Sequence, residues 1–234
     1  MSVTEPELAN SADTFARLAI ELHDAPGVEE TVDAVVQFAL HALNCKYAGV
    51  ALYTRGSRAE IAAVTDSVVS DLYESQISAD SGSLITALRE RTTVLIRDTT
   101  TDERWPEHST KVAALGIRSV LDVPLATGDT PRSTVGVLGL YSEQPDAFTA
   151  DDEAIAHILA QHASVAVASA RQEETMAQAV DARKLVGQAM GILMERFDVD
   201  GDRAFAILKR YSQDTNTKLR DVAQQLVATR RLPH

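Results

Sequence analysis

Cysteine occurs once in 234 residues. The chain can form no internal disulfide and has no cysteine pair for a structural zinc site, so Cys45 reads as a buried thiol. A basic start followed by a continuous apolar stretch is missing, and no window approaches the roughly 20 apolar residues that cross a bilayer. The expectation is a cytoplasmic protein with no membrane partner. Nucleophile elbow, P-loop, glycine-rich dinucleotide turn, kinase set and HExxH are all absent. His157 and His162 lie five apart, which does not give the shared helix face of an i, i+4 metal pair. Asp102 and Glu103 read as solvated loop charges, because nothing in the sequence places either where its acidity would be tuned. No catalytic residue and no metal ligand is expected, and no cofactor can be named.

What is present is a globular composition, with 45% hydrophobic and 24% charged residues, and a length that suits one ordinary domain plus a smaller one. The formal net charge of -12 is unevenly spread. Residues 1–170 hold 11 Lys and Arg against 25 Asp and Glu, whereas the chain from Arg171 onward holds 11 against 9. Between Lys209 and Arg231 six basic residues face only Asp214 and Asp221. An acidic protein with a local basic face excludes indiscriminate polyanion binding and leaves selective binding open.

The larger part reads as mixed α and β. Apolar residues recur at helical spacing over 12–23 and 28–43, separated by Pro26 and Gly27. "YAGVALYT" and "RAEIAAVT" read as strands around a turn at 55–57, and "TTVLIRD", "RSVLDVPLA" and "STVGVLGLYS" as three more. A last helix begins at Asp151 with Thr149 as cap, and its inner face is read as Ile155, Ile158, Leu159, His162, Val165, Ala166 and Ser169. The stretches "DERWPEHSTKVAALGIRSVLDVPL" and "GVLGLYSEQPDAFTADDEAIAHILAQHASVAVASA" resemble the second half of a GAF domain, a small-molecule sensory module. The resemblance implies a sensor over residues 11–172, after a flexible N-terminus at 1–10. Members bind cyclic nucleotides, haem, bilins or nothing, and "NKFDE", associated with cyclic-nucleotide binding, is missing. Trp105 and His108 lie in the region that flanks such a pocket and are candidate ligand contacts; closing the core is the plainer role for a Trp before Pro106.

From Asp151 to Arg196 there is no proline, and the only glycines are Gly187 and Gly191. A helix so long and so thinly apolar in "SARQEETMAQAVDARK" points to a connector that pairs two subunits, hence a homodimer. "GQAMG" reads as small residues for close helix packing. Next, Leu185, Val186, Ala189, Met190, Leu193 and Phe197 share a face; Asp200 caps a second helix with the stripe Ala204, Phe205, Leu208 and Tyr211; Leu219, Val222, Ala223 and Leu226 mark a third. The segments "AVDAR", "AMGILMER", "AFAILKR" and "SQDTNTKLRDVA" are similar to the ANTAR domain, the RNA-binding module of transcription antitermination regulators. Residues 173–234 are thereby assigned to that domain and its helical connector. Met190 stands where many members carry lysine.

The fold class expected is α+β: a GAF-type antiparallel sheet packed by helices, joined by a long helix to three ANTAR helices. The resemblance implies RNA hairpins in nascent transcripts as partners, with Arg183, Lys209, Arg210, Ser212, Asn216, Lys218 and Arg220 at the RNA. Cations neutralise phosphates, while Ser212 and Asn216 offer directional hydrogen bonds to base edges; as alternatives, Ser212 stops a helix and Asn216 caps one. A small-ligand sensor or dimeric adaptor without RNA binding, and an enzyme between GAF subunits, remain as rival readings.

Overall fold

The computed structural model describes residues 18, 20–22, 24–54, 58–128, 130 and 133–231. The N-terminus at 1–10, most of the helix read over 12–23 and the turn at 55–57 lie outside them. The chain divides into two compact units, Met1–Arg171 and Gln172–His234.

In the first unit, helix α1 (Val28–Ala42) leads into strands β1 (Tyr47–Tyr53) and β2 (Ala59–Val64), then helices α2 (Ser67–Ala79) and α3 (Ser83–Glu90). Strand β3 (Val94–Ile96), helix α4 (Pro106–Ala114) and strands β4 (Ser119–Ala126) and β5 (Thr134–Ser142) follow. The strands form one sheet in the order β2-β1-β5-β4-β3, every neighbouring pair antiparallel. Because side chains alternate across a strand, Val50, Leu121, Val123, Leu138 and Leu140 face one way, onto α1 and helix α5 (Ala150–Phe197). Ala51, Val120, Val137 and Tyr141 face the other, onto α2, α3 and α4. Both faces being covered explains why β4 and β5 read as nearly unbroken apolar runs.

Local chemistry sets the helix starts. Asp66 accepts from Val68 N at 2.9 Å at the head of α2. Thr149 and Asp152 form a reciprocal box at the head of α5, in which Thr149 N donates to Asp152 at 2.8 Å and Asp152 N donates to the Thr149 hydroxyl at 3.2 Å. Gly82 holds φ +122 before α3, and a Cβ there would strike the Gln76 side chain, whose Oε1 accepts from Leu84 N at 2.9 Å.

The inner face of α5 differs from the sequence reading. Ala156, Leu159, Ala160, Ala163 and Val167 are buried against the sheet, while Ile158 is 44% and Val165 60% exposed. Alanines let the helix axis approach the sheet, so the larger β-branched residues fall on the outside. Gly187 and Gly191 have nothing within 4 Å of an added Cβ; their expected close packing finds no partner among the described residues. Cys45 donates weakly to Ala39 O at 3.5 Å. Burial, and secondarily the Asp152 charge, push its thiol up to about 12 against a lowering backbone hydrogen bond.

In the second unit the end of α5 packs with helices α6 (Gly201–Asp214) and α7 (Leu219–Thr229) around Ala189, Leu193, Ala204, Leu208, Val222, Ala223 and Leu226. Phe197 and Phe205, read as inner residues, are 52% and 41% exposed; Ile207 supplies the partly buried contact instead. Among the described residues no helix is long and apolar enough to cross a membrane, and no group of three metal-ligating side chains occurs.

Candidate functional site

The sensor unit places polar groups where its sheet lacks side chains. Asp122 on β4 pairs in register with Gly139 on β5, and Gly139 with Gly49 on β1. The bare glycine row lets Tyr73 of α2 lie on the sheet, its ring edge-on to Tyr141 with centroids 6.2 Å apart. A Cβ on Gly139 would fall 2.5 Å from the Tyr73 hydroxyl, 2.6 Å from that of Tyr141 and 2.8 Å from Asp122 Oδ1. The three polar tips therefore converge over one point of backbone.

Asp122 is fully buried. Burial pushes its carboxyl up to about 7, with the Ser83 and Tyr141 hydroxyls working against the rise. Those hydroxyls are close but poorly aimed: neither carboxylate oxygen, nor the Tyr73 or Tyr141 hydroxyl, has a hydrogen-bond partner of good geometry. The phenols are themselves pushed up by burial and by the neighbouring Asp122.

Trp105 and His108 do line a cleft, of about 410 Å³, together with Gln76, Arg104, Glu107 and Lys111. The Arg104 guanidinium lies 4.8 Å from the Trp105 ring centroid and binds Asp102 through Nε at 2.9 Å. His108 is held down to about 4 by burial, then by the Lys111 charge, with Asp102 opposing; it is therefore a neutral imidazole near pH 7. Its Nε2 lies 3.5 Å from the Ser83 hydroxyl, which links the cleft to Asp122. Sequence reasoning passed over Tyr73, Gln76, Ser83, Asp122 and Tyr141. A signal was present in "SVLDVPLA", an acid inside an otherwise apolar strand.

In the second unit, α6 ends in a left-handed turn. Asn216 holds φ +50, Asn216 N donates to Gln213 O at 3.3 Å and Thr217 N to Ser212 O at 3.0 Å, the paired bonds of a Schellman stop. The Ser212 hydroxyl donates to Thr217 O at 2.7 Å, strapping the same loop. Asn216 thus ends the preceding helix and does not cap the next. Lys218 is the N-cap of α7, without a side-chain cap bond. Asparagine tolerates the left-handed region better than other non-glycine residues, where the strain is about 1–2 kcal/mol. We expect Asn216→Gly to keep the parent's stability and Asn216→Ala to lose about 1 kcal/mol in urea denaturation. The glycine variant then reports on the amide alone.

Arg183, Lys209, Arg210, Asn216, Lys218 and Arg220 are all exposed. Arg210 lies 3.6 Å from Asp214 and Arg220 3.2 Å from Asp221, surface pairs worth at most about 1 kcal/mol and readily exchanged for phosphate. Lys218 and Arg220 occupy the first turn of α7, whose positive dipole end disfavours cations. Met190 is partly buried against the core of this unit, so its side chain is a packing element and not an outward substitute for a cation.

A GAF domain model matches residues 27–167 and an ANTAR domain model residues 174–227. Solved structures of similar fold include the photoproduct state of GAF3 from Slr1393 of Synechocystis sp. PCC6803, at 19% identity and TM-score 0.52 over 64% of this chain and 99% of that one. The GAF domain of an Acinetobacter phosphoenolpyruvate-protein phosphotransferase shares 18% identity, with TM-score 0.53 over 73% and 97%. Its counterpart from Coxiella burnetii shares 17%, with TM-score 0.54 over 71% and 98%. No curated protein matches the chain. Its larger unit carries the five-stranded GAF sheet and its smaller unit the ANTAR motif, so the chain belongs to the GAF family, in the two-domain arrangement that joins a GAF domain to an ANTAR domain.

Proposed function

We propose that this protein is a signal-responsive, non-enzymatic antitermination regulator of the cytoplasm. Its residues 173–234 bind small hairpins in nascent transcripts and hold them against the competing terminator. Binding shifts that RNA equilibrium by its differential affinity for the antiterminator form, so no covalent step is required. The observation that carries the reading is the ANTAR match. It is supported by Lys218 and Arg220 at the head of α7, where two cations cost the helix stability and a phosphate would reverse the sign. Fluorescence anisotropy with stem-loop RNAs of varied loop sequence tests it. The expected result is hairpin binding that weakens steeply with salt, with selectivity that Asn216→Gly reduces by about 1–3 kcal/mol. Equal, weak binding to every RNA would leave the adaptor reading, which the partly buried Met190 does not favour.

We further propose a homodimer paired through α5. Ile158, Val165, Met176 and Val180 are 44%, 60%, 61% and 62% exposed, and their spacing returns them to one side of a helix with 3.6 residues per turn. A second copy of the same helix buries such a stripe symmetrically. The full-length protein should scatter light as a dimer at about 10 μM, a concentration at which mass action favours a stable dimer. Val165→Glu combined with Met176→Glu should give a folded monomer; a dimer that survives both charges places the contact elsewhere.

A further inference from the structure

Buried polar groups in folded proteins find partners in more than nine cases of ten, yet among the described residues several of the exceptions gather in one place. Asp122 Oδ1 and Oδ2, the Tyr73 and Tyr141 hydroxyls and Gln76 Nε2 are all buried without a partner, and all lie between the sheet and α2, α3 and α4. Asp122 is, among the described residues, the only buried carboxylate in that layer of the core. Among the described residues no Lys or Arg forms an ion pair with it. The groups that face it are hydroxyls: Tyr73 from α2, Ser83 from α3 and Tyr141 from β5, with neutral His108 of α4 behind Ser83. Its neighbour on β3, Val94, is apolar.

We propose that Asp122 and the hydroxyls around it form the inner end of a site for a small planar cation with paired N–H donors, an amidinium or guanidinium, entered through the cleft at Trp105 and His108. The two carboxylate oxygens accept an N–H pair side by side, the geometry that makes such pairs strong. The phenols accept further N–H groups or turn to donate. His108 belongs both to the cleft wall and, through Ser83, to the polar chain that ends on Asp122. The Trp105 ring already partners one planar cation, the Arg104 guanidinium, which shows the ring's affinity for such groups and which an aromatic amidinium would displace to stack on that face. At the mouth, Arg104 and Lys111 are balanced by Asp102 and Glu107. This deepens the sensor reading of the first unit and rests on it; it is independent of RNA binding.

Benzamidine is the probe, titrated into the full chain by calorimetry at pH 8, with benzoate and benzamide as shape-matched anion and neutral controls. We expect benzamidine alone to bind, and Asp122→Asn to weaken it at least tenfold while leaving hairpin affinity unchanged. The wild-type pH profile needs no variant. Asp122 must be ionised to receive the cation, so a protein titrating at about 7 binds fully above that pH and loses about tenfold in affinity per unit below it. Three results would overturn the proposal: no benzamidine binding, equal binding of benzoate, or binding indifferent to pH and to Asp122→Asn. In the first case Asp122 is a neutral acid of the core, whereas loss of hairpin binding alone leaves the cation site standing and removes the antitermination reading.

Discussion

Replacing Lys218 and Arg220 together by alanine should weaken hairpin binding about 100-fold or more while making the protein slightly more stable. The two effects have opposite signs because they have different origins. Charge-assisted hydrogen bonds to phosphate are worth about 1.5–3 kcal/mol each, and each lost contact should lower the salt slope by about 0.7–0.9. The same side chains sit on the positive end of α7, so their removal should return about 0.3–1 kcal/mol per charge to the folded state. A merely solvated basic face predicts the stability gain with no change in affinity. Lys209 and Arg210 offer a comparison on the middle of α6, where the dipole exerts little force: alanine there should weaken binding to all loop sequences alike and leave stability within about 0.5 kcal/mol. Anisotropy titrations at several salt concentrations, paired with urea melts, separate the outcomes.

The second large effect concerns stability. Gly136→Ala should cost the sensor unit about 3 kcal/mol. Its Cβ would meet the backbone oxygen of Ala51 and lie 2.7 Å from Leu52 Cδ2, and both neighbours belong to β1, which is paired on its two sides and cannot retreat. Gly187→Ala and Gly191→Ala should do the reverse, raising helix stability by up to about 1 kcal/mol each, because nothing lies within 4 Å of either Cβ. Trp105 is the single tryptophan and lies in the first unit, so its fluorescence follows that unit's unfolding alone, while circular dichroism reports the helices. A Gly136→Ala melt superimposable on the parent would mean that β1 and β5 can separate locally without loss.

The elements that periodicity reveals were legible in the sequence: five strands, the long helix and three C-terminal helix stripes all follow from apolar spacing. Faces were harder. Ile158 and Val165 look like core residues by type, and only the sheet, a distant partner in sequence, selects Ala156, Ala160 and Ala163 for the close approach. Asn216 was assigned to the wrong helix end, because an Asx residue between two helices satisfies either the last carbonyls or the first amides, and backbone sign decides which. Trp105 and His108 were found at the cleft. Asp122 was missed since its meaning depends on Tyr73, Ser83 and Tyr141, brought together by pairings that no short window contains. The cations of the second unit were legible as residue types, whereas their relation to the head of α7 depended on where that helix begins.

Cys45, expected to be buried, is half-buried, and its setting has a practical consequence. A thiol pushed up to about 12 is almost wholly protonated at pH 7–8, and thiolate is the reactive form, so alkylating reagents should modify it at least about tenfold more slowly than an exposed cysteine near 8.5. The natural chain should therefore label slowly with maleimides. A cysteine introduced at Val180, which is 62% exposed, would accept a spin label cleanly without first deleting the native thiol, and the label-to-label distance across two copies would report directly on how the long helices run beside each other.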